Sequence, residues 1–318
     1  MSLYSLNHPS HAFSHVKTQI FVSQKRLAPL LAMPPSSIFK HKSKKVSGSS
    51  SNSSGLLLTE AHTVGIIGGA SVNSTLNFLN KLVEWSSPDG KDCLPFLLCS
   101  DPLLNKELLW HEKNSFQSFG RQNDRYELDY APIIEKLQNK RIFLEKSGAR
   151  CIVMPCHILQ CWHDEISQEC SIPFLHVGEC VARELKQAKL KPLEAGSHLR
   201  IGVLGTNFIL NAGFYQEKLQ NEGFEVVLPD KATMEHIVIP ALEALNRRDL
   251  EGAQNLLRIA LQVLLVRAVS TVILASDDIS NLLPWDDPLL TKCIDPMDAL
   301  ARATVRWAQT TEQESCKS

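Results

Sequence analysis

The chain has 318 residues, enough for about two domains of ordinary size, and its 44% hydrophobic content allows a large buried core. No run reaches the roughly 18 consecutive apolar residues that a membrane helix needs, which argues against a membrane protein. Seven basic and no acidic residues precede Glu60, so 26 basic residues stand against 34 acidic ones in the rest of the chain, an excess that argues against a nucleic-acid-binding surface.

Residues 1–60 have the composition of a targeting leader. They are basic and rich in serine, above all at 47–54. An organelle transit peptide has this composition, whereas the compact apolar segment of a secretory signal is missing; a plain disordered tail is the alternative. Because serine outweighs arginine, we expect a chloroplast location rather than a mitochondrial or cytoplasmic one. The nine cysteines show no regular disulfide spacing and are expected to be reduced.

After the leader, predicted strands alternate with helices. An apolar run at 63–70 ends in paired glycines and predicts a buried strand and a tight turn, followed by a helix at 72–85 and a strand at 94–99. A polar stretch without clear periodicity, 100–125, precedes an amphipathic helix at 130–146 and a buried strand at 151–155. This alternation is typical of an α/β protein with a parallel sheet covered by helices on both faces.

The same order of elements then begins again. Residues 201–206, IGVLGT, match residues 64–69, VGIIGG, and residues 271–277, TVILASD, match residues 151–157, CIVMPCH. Helices are predicted at 210–221, 233–245 and 250–266, with a short strand at 224–228. Two matches in the same order predict a duplicated domain, with a final helix at 296–308 packing back onto the first half.

The duplication predicts two domains separated by a cleft. We expect residues 62–178 plus 292–311 to form the first α/β domain and residues 179–291 the second. Ligands of open parallel sheets bind beyond the carboxyl ends of the strands, so the residues at these ends are expected to border one cleft, with Cys156 and Ser276 on opposite walls. The strand-end residues are Gly68, Gly69, Cys156, Thr206 and Ser276.

Ordered motifs in this body resemble those of the aspartate/glutamate racemase family. IIGGASVNST (66–75) is similar to the family's opening glycine loop, ARCIVMPCH (149–157) to its first cysteine motif and VILASDD (272–278) to its second. Further matches, in order, are SDP (100–102), SIPFLHVGE (171–179), GVLGT (202–206), GFYQEKL (213–219), VVLPD (226–230) and IDPMDALA (294–301). The resemblance is to a divergent, plant-type member and implies two pseudo-symmetric parallel-sheet domains with the active site between them.

The resemblance implies a cofactor-independent reaction in which two thiols flank the α-carbon of an amino acid. One thiol removes the α-proton and the other returns a proton on the opposite face, a task that suits cysteine because its pKa lies near 8.5. Cys156 matches the first of these thiols and precedes a predicted helix, whose N–H groups favour an anion. A small buried apolar residue is the alternative interpretation. The substrate-binding positions that follow from the strand ends and the resemblance are Gly69, Ala70, Ser71, His157, Ile158, Thr206 and Asp277.

The second catalytic cysteine of the family is replaced here. Ser276 stands in its place, within Ala275-Ser276-Asp277-Asp278, where the family has Gly-Cys-Thr-Glu. A serine hydroxyl is a far weaker acid than a thiol and needs a partner base, for which Asp277 and Asp278 are candidates. Ser276 is therefore either an impaired acid/base or a hydrogen-bonding wall of the cleft.

The first motif is altered as well. The family usually has Cys-Asn-Thr, whose amide and hydroxyl hold the substrate carboxylate, whereas this chain has Cys156-His157-Ile158. His157 either binds a carboxylate when protonated, pairs with Cys156 to increase its thiolate content, or only packs. Ile158 has no polar group to offer, so one substrate contact is lost.

Two loops that hold basic residues in aspartate-specific relatives also differ. The aligned neighbourhoods are Lys106-Glu107 and Met234-Glu235, which makes aspartate a doubtful substrate unless Lys106 or Lys231 compensates. No metal or other cofactor is expected, because the spacing of Cys156, His157, Cys161 and His163 fits no usual zinc pattern. The GxGxxG fingerprint of dinucleotide sites is missing too.

Three functions follow from these patterns. The first is an amino-acid racemase or epimerase using Cys156, with Ser276 at the second acid/base position. The second is a one-thiol reaction, either decarboxylation or cis/trans isomerisation of a small carboxylic acid. The third is a non-catalytic binding protein on the same fold. The expected ligand is a small carboxylate or an amino acid, and the resemblance implies a homodimer.

Overall fold

The computed structural model of the protein describes residues 62–87, 93–115, 129–190 and 198–315, and the expected leader lies outside these residues. Within them, eight strands form two four-stranded sheets in which every pairing is parallel. The strands of the first sheet are β1 (Val64–Ile67), β2 (Phe96–Cys99), β3 (Cys151–Val153) and β4 (Phe174–Leu175). Those of the second are β5 (Arg200–Gly205), β6 (Glu225–Val227), β7 (Thr271–Ala275) and β8 (Cys293–Ile294).

The two sheets have the same topology and register. Their strand orders are β2-β1-β3-β4 and β6-β5-β7-β8. Val64 is paired with Cys151 in the first sheet, and Ile201 is paired with Thr271 in the second, which are the residues that the sequence repeat matches. The α/β fold class with two pseudo-symmetric parallel sheets is therefore confirmed. The residues that the sequence repeat matches occupy equivalent positions in the two sheets.

Helices connect the strands, as parallel pairing requires. In the first half they are α1 (Val72–Ser86), α2 (Pro102–Ser115), α3 (Ala131–Lys146), α4 (His157–Gln160), α5 (His163–Ser167) and α6 (Val177–Gln187). In the second half they are α7 (Asn207–Ala212), α8 (Phe214–Asn221), α9 (Lys231–Thr233), α10 (Ile239–Asn246), α11 (Leu250–Leu265), α12 (Asp277–Ser280) and α13 (Pro296–Ser315). A π-helical turn, Met234–Val238, joins α9 to α10, and a 3-10 turn, Pro288–Lys292, precedes β8. No helix in the described residues is long and apolar enough to cross a membrane.

Helix α2 lies in the polar stretch that showed no periodicity in the sequence. Asp101 starts it by accepting hydrogen bonds from the backbone N–H groups of Leu103 (3.0 Å) and Leu104 (3.3 Å). Leu104 and Leu108, one turn apart, are buried in the hydrophobic core, whereas Leu103 is 77% exposed. Buried and exposed leucines are thus interleaved, which hid the helical period.

The single helix predicted at 210–221 is two helices. Gly213 has φ 74° in the left-handed region, which a glycine adopts without the steric cost that other residues incur, and it separates α7 from α8. The break turns α8 so that Tyr215 is fully buried.

The final helix packs on the first half, as predicted. α13 contacts α1 and α6. Trp85 of α1 donates a hydrogen bond to Asp298 at 2.8 Å, and the Arg302 guanidinium lies 4.7 Å from the centre of the Trp85 ring. Arg302 also forms an ion pair with Glu184 of α6, so α13 joins two helices of the first half.

One detail of the predicted domain limits is wrong. Residues 293 and 294 were assigned to the first domain, but they form β8, which is hydrogen-bonded to β7 in the second sheet. The remaining limits stay a prediction.

Candidate active site

Cys156 and Ser276 occupy equivalent places in the two halves. Cys156 follows β3 and is the N-cap of α4, and Ser276 follows β7 and is the N-cap of α12. Their backbone torsions agree closely: φ −159° and ψ 123° at Cys156, φ −160° and ψ 137° at Ser276. The duplicated strand ends therefore present different side chains from nearly the same backbone conformation.

A small cavity of about 30 Å³ lies between residues of the two halves. This volume is far below the roughly 300–1,000 Å³ of typical ligand pockets, so the cleft is closed in this arrangement. The first half contributes Ala70, Ser71, Ser74, Leu109, Glu112, His157 and Ile158, and the second half contributes Ser276, Asp277 and Asp278. Five of the expected site residues other than Ser276 thus line one cavity, whereas Gly69, Cys156 and Thr206 do not.

Cys156 lies directly behind the cavity wall. Its side chain is fully buried, and Sγ accepts a hydrogen bond from the backbone N–H of Ala70 at 3.4 Å. Burial raises the pKa of the thiol to about 12, the charge of Asp277 adds to this effect, and the backbone N–H groups around the sulfur oppose it only weakly. The expectation that the helix terminus yields a ready thiolate is therefore wrong for this closed arrangement, because desolvation outweighs the N–H groups.

Gly69 has a supporting role. A Cβ at this position would lie 2.7 Å from Cys156 Cβ and 3.2 Å from Sγ, so only glycine lets the turn after β1 approach the cysteine. The next residue, Ala70, can then present its N–H to the sulfur. Ser71, which lines the cleft, uses its hydroxyl to accept a hydrogen bond from Asn73 N–H (3.2 Å) and so caps α1.

His157 is buried and neutral. Its Nδ1 is 3.0 Å from the Tyr215 hydroxyl, and burial lowers the pKa of the ring to about 3. Nε2 is buried without a hydrogen-bond partner and lies 3.8 Å from Asp277 Oδ1. Two of the expected roles are thus wrong here: the ring is not a cation that binds carboxylate, and it contacts Tyr215 rather than the thiol of Cys156.

Burial raises the pKa of Tyr215 well above its usual value, so this hydroxyl keeps its proton. We assign the tyrosine as donor to His157 Nδ1, which places the imidazole proton on Nε2, facing the opposite wall of the cleft. A neutral ring held in this way is a hydrogen-bond donor towards Asp277 or a bound ligand.

The carboxyl group of Asp277 titrates close to neutral pH. Burial raises its pKa to about 7, with smaller contributions from the negative charges of Asp278 and Asp295, while a hydrogen bond from Ser74 opposes the shift. Its side chain remains 24% exposed and lines the cavity. Both its protonated and its ionised form are thus accessible near pH 7.

Thr206 and Glu112 link the two halves on another side of the cleft. Thr206 is buried, and its hydroxyl donates a hydrogen bond to Glu112 Oε1 at 3.3 Å. Thr206 therefore lies behind the wall, where it holds the wall residue Glu112. Glu112 was missed in the sequence because it lies in α2, the helix that was not predicted. Ser74 was also missed, although it lies inside the motif that resembles the family's opening loop, whereas Asp278, considered as a base for Ser276, lines the wall as well.

The loops that would bind an acidic side chain bring no cation to the cavity. Lys106 is exposed, Glu107 forms an ion pair with Lys136 at 2.8 Å, and Lys231 lies 3.7 Å from Glu235. None of the described residues that line the cleft is a lysine or an arginine. The compensation considered for Lys106 or Lys231 does not occur in this structure.

Comparison with known proteins now gives the family. A profile of the Asp/Glu/Hydantoin racemase family matches residues 67–304, most of the chain. The chain belongs to this family. Its similarity to the broad-specificity amino-acid racemase RacX of Bacillus subtilis is 25% identity over 167 residues, which is 52% of this chain and 64%, less than two thirds, of that enzyme.

Solved structures of racemase-type proteins share the fold. An aspartate racemase homologue from Pyrococcus horikoshii has TM-score 0.60 and 21% identity, covering 78% of this chain and 99% of that one. The aspartate racemase of Picrophilus torridus has TM-score 0.59 and 21% identity, covering 78% and 95%. At these identities the likeness establishes the Asp/Glu racemase architecture and nothing about the substrate.

Proposed function

We propose that the protein is a cofactor-independent amino-acid racemase or epimerase, in which Cys156 transfers the α-proton and Ser276 stands at the second acid/base position. The observation that carries this proposal is the matched backbone at Cys156 and Ser276, at the ends of equivalent strands. Family membership and the similarity to a broad-specificity amino-acid racemase support it.

The chemistry requires the cleft to open. Cys156 is fully buried, so a substrate reaches it only when the walls formed by Ala70 and His157 separate. Hydration of the thiol on opening removes the main cause of its raised pKa, and reclosure around the substrate excludes water.

An amino acid without a side-chain carboxylate is the substrate class we favour. Glu112, Asp277 and Asp278 already contribute carboxyl groups to the wall. A second carboxylate on the substrate would be repelled by them, whereas the α-ammonium group would be attracted. Neutral and basic amino acids are therefore expected to be better substrates than aspartate or glutamate.

The direct test is α-proton exchange. Each enantiomer of a panel of amino acids is incubated with the protein in deuterated water, and loss of the α-proton signal and appearance of the other enantiomer are followed by NMR and chiral chromatography. We expect exchange in the wild type and a loss of about 100-fold or more in Cys156→Ala. Cys93→Ala, which removes an exposed thiol outside the cleft wall, is the matched control. Absence of exchange for every amino acid would contradict the proposal.

A one-thiol reaction is the second candidate, because Cys156 is the only thiol at the two matched positions. Decarboxylation or cis/trans isomerisation of a small carboxylic acid needs one protonating or attacking group. Product formed from a malonate- or maleate-type acid and lost in Cys156→Ala, without α-exchange of amino acids, would favour it.

A third candidate, a non-catalytic binding protein, is supported by the complete burial of Cys156. Ligand binding that is unaffected by Cys156→Ala, without turnover, would favour that function.

We further propose that the protein is a homodimer formed through α1 and α2. Val72, Leu76 and Leu103 on these helices are 56%, 52% and 77% exposed, an apolar surface that a partner subunit would cover. Light scattering should give the mass of two chains for the wild type and the mass of one chain for the Leu76→Glu/Leu103→Glu double variant. Val266→Glu, at a residue 82% exposed in the other half, should stay dimeric.

The composition of residues 1–60 supports a chloroplast location, with this segment as the transit peptide. A fluorescent protein fused behind these residues should be imported into plastids. Accumulation in mitochondria or cytosol would contradict this part of the proposal.

A further inference from the structure

The side chain at position 276 is a poor general acid or base near pH 7. A serine hydroxyl holds almost no alkoxide without a base, and Ser276 differs from the thiol of its counterpart Cys156 in this respect. The next residue, Asp277, lines the same cavity and carries an ionisable carboxyl group.

Asp277 is held from the opposite wall. The Ser74 hydroxyl of α1 is hydrogen-bonded to its carboxyl group, and His157 Nε2 lies 3.8 Å from Oδ1. His157 is in turn fixed by Tyr215 at Nδ1 (3.0 Å), so the buried Nε2, which has no hydrogen-bond partner, is aimed at the carboxyl group. This is the arrangement of an oriented acid/base: a carboxyl group, a donor that faces it and a residue that orients the donor.

The two facing residues are pseudo-equivalent. His157 follows Cys156 and Asp277 follows Ser276, and they stand where the family motifs have asparagine and threonine. Two neutral polar side chains have thus been replaced by a pair of titratable ones that meet across the cleft.

We propose that the carboxyl group of Asp277 is the acid/base that exchanges the second proton, with His157 and Tyr215 as positioning residues. The inference rests on the proposed racemase or epimerase function and identifies the second catalytic group of that reaction. Ser276 then supplies a hydrogen bond at the wall rather than the proton itself.

The proton transfers balance as follows. The resting enzyme holds Asp277 as a carboxylate and Cys156 as a thiol. Asp277 takes the α-proton, so the C–H bond breaks, an O–H bond forms and the electron pair stays on the α-carbon and its carboxylate. The Cys156 S–H bond then breaks and its proton adds to the opposite face, leaving a thiolate. Return of one proton from Asp277 to Cys156 through water restores the resting state.

The charges around Asp277 determine the pH at which this state exists. The titratable groups that face or adjoin it are Cys156, His157, Tyr215, Asp278 and Asp295, and Glu112 of α2 lines the same cavity. Neutral His157 and Tyr215 add no charge, the two aspartates disfavour ionisation of Asp277, and an ionised Asp277 keeps Cys156 protonated. The enantiomer whose α-proton faces Asp277 should therefore react only after Asp277 is ionised, with an acid limb near pH 7.

The experiment measures exchange of each enantiomer separately in deuterated water, from about pH 5 to about pH 9, for wild type, Asp277→Asn, His157→Gln and His157→Leu. Asp286→Asn, an exposed aspartate outside the cleft wall, is the matched control. We expect Asp277→Asn to reduce racemisation about 100-fold or more in both directions and to abolish α-exchange of one enantiomer while the other still exchanges. His157→Gln keeps an amide N–H and should leave the acid limb in place, whereas His157→Leu should shift it to higher pH, because the carboxylate then loses the N–H that faces it.

The outcomes separate this inference from the proposed function. A wild type that exchanges no amino acid overturns both. A wild type that exchanges, together with an Asp277→Asn variant that racemises at a rate within tenfold of it, overturns the inference alone. The wild-type profile needs no folded variant: a rate that stays constant between about pH 5 and about pH 8 for both enantiomers also overturns it.

Discussion

The carboxyl ends of β3 and β7 are two versions of one structure. Each strand ends in an N-cap residue with φ near −160° and leads into a four-residue helix. In the first version the cap is a thiol sealed from solvent behind Ala70, and in the second it is a hydroxyl beside a carboxyl group, both on the cavity wall. Strand register and backbone hydrogen bonds fix the geometry in both halves, whereas the side chains that they present are free to diverge.

The difference also separates two kinds of acid. The pKa of Cys156 is raised to about 12 and that of Asp277 to about 7, mainly by burial in both cases. Burial thus makes the thiol a weak acid in the closed cleft and brings the pKa of the carboxyl group close to neutral pH. The second strand end has lost a sulfur but has gained a group that titrates in the useful range.

Ser276→Cys would make the two strand ends chemically alike. A thiol on the matched backbone would add a second proton-transfer group beside Asp277, so we expect racemisation to increase by about tenfold to 100-fold. Chiral chromatography of both directions checks this. An unchanged rate in a folded variant would mean that the side chain at 276 does not reach the α-carbon.

Alanine at Gly69 or Gly205 would test the close packing of each strand end. A Cβ at 69 would lie 2.7 Å from Cys156 Cβ, and one at 205 would lie 2.7 Å from the Ala275 carbonyl oxygen. We expect each variant to lose about 1–3 kcal/mol of unfolding free energy, measured in urea. Only Gly69→Ala should also displace the thiol and reduce α-exchange. Equal activity loss in both variants would contradict the assignment of the sulfur to one end.

Acidification should lower the folding stability through the buried histidines and raise it through Asp277. His157 and His176 have folded pKa values of about 3, below the unfolded value, so the stability that each contributes is present above about pH 6.5 and is lost as the pH falls. Asp277 has a folded pKa of about 7, above its unfolded value, so it offsets part of this loss between about pH 7 and pH 4.

Each group changes the slope by up to about 1.4 kcal/mol per pH unit. Urea unfolding at a series of pH values should therefore show a shallower acid loss in His157→Gln and a steeper one in Asp277→Asn. Equal slopes in these variants and the wild type would show that neither group changes its pKa on folding.

Local sequence patterns were sufficient for the six longer strands. Short apolar runs between helical segments identified β1, β3, β5 and β7, and the repeat matched the residues that pair in the two sheets. β4 and β8, of two residues each, were not predicted because they are too short to leave a pattern. α2 was missed because exposed Leu103 and buried Leu104 stand side by side. The break at Gly213 was missed because apolar residues continue on both sides of it.

The candidate site was predictable in position but not in protonation state. Cys156 and Ser276 follow from the strand ends, and His157 and Asp277 follow from the motifs that resemble those of the family. Desolvation of the thiol, by contrast, depends on how closely the turn at Gly69 packs on it. The pairing of His157 with Tyr215, which are 58 residues apart, depends on how the two halves meet. Such long-range contacts leave no periodic trace in the chain.

The last helix has a consequence for biosynthesis. α13 follows β8 of the second sheet, yet it covers α1, the first helix of the body. During translation α1 therefore has one face uncovered until α13 has left the ribosome. The first half cannot complete its native packing before that point, and chaperone contact with α1 should persist until α13 is available.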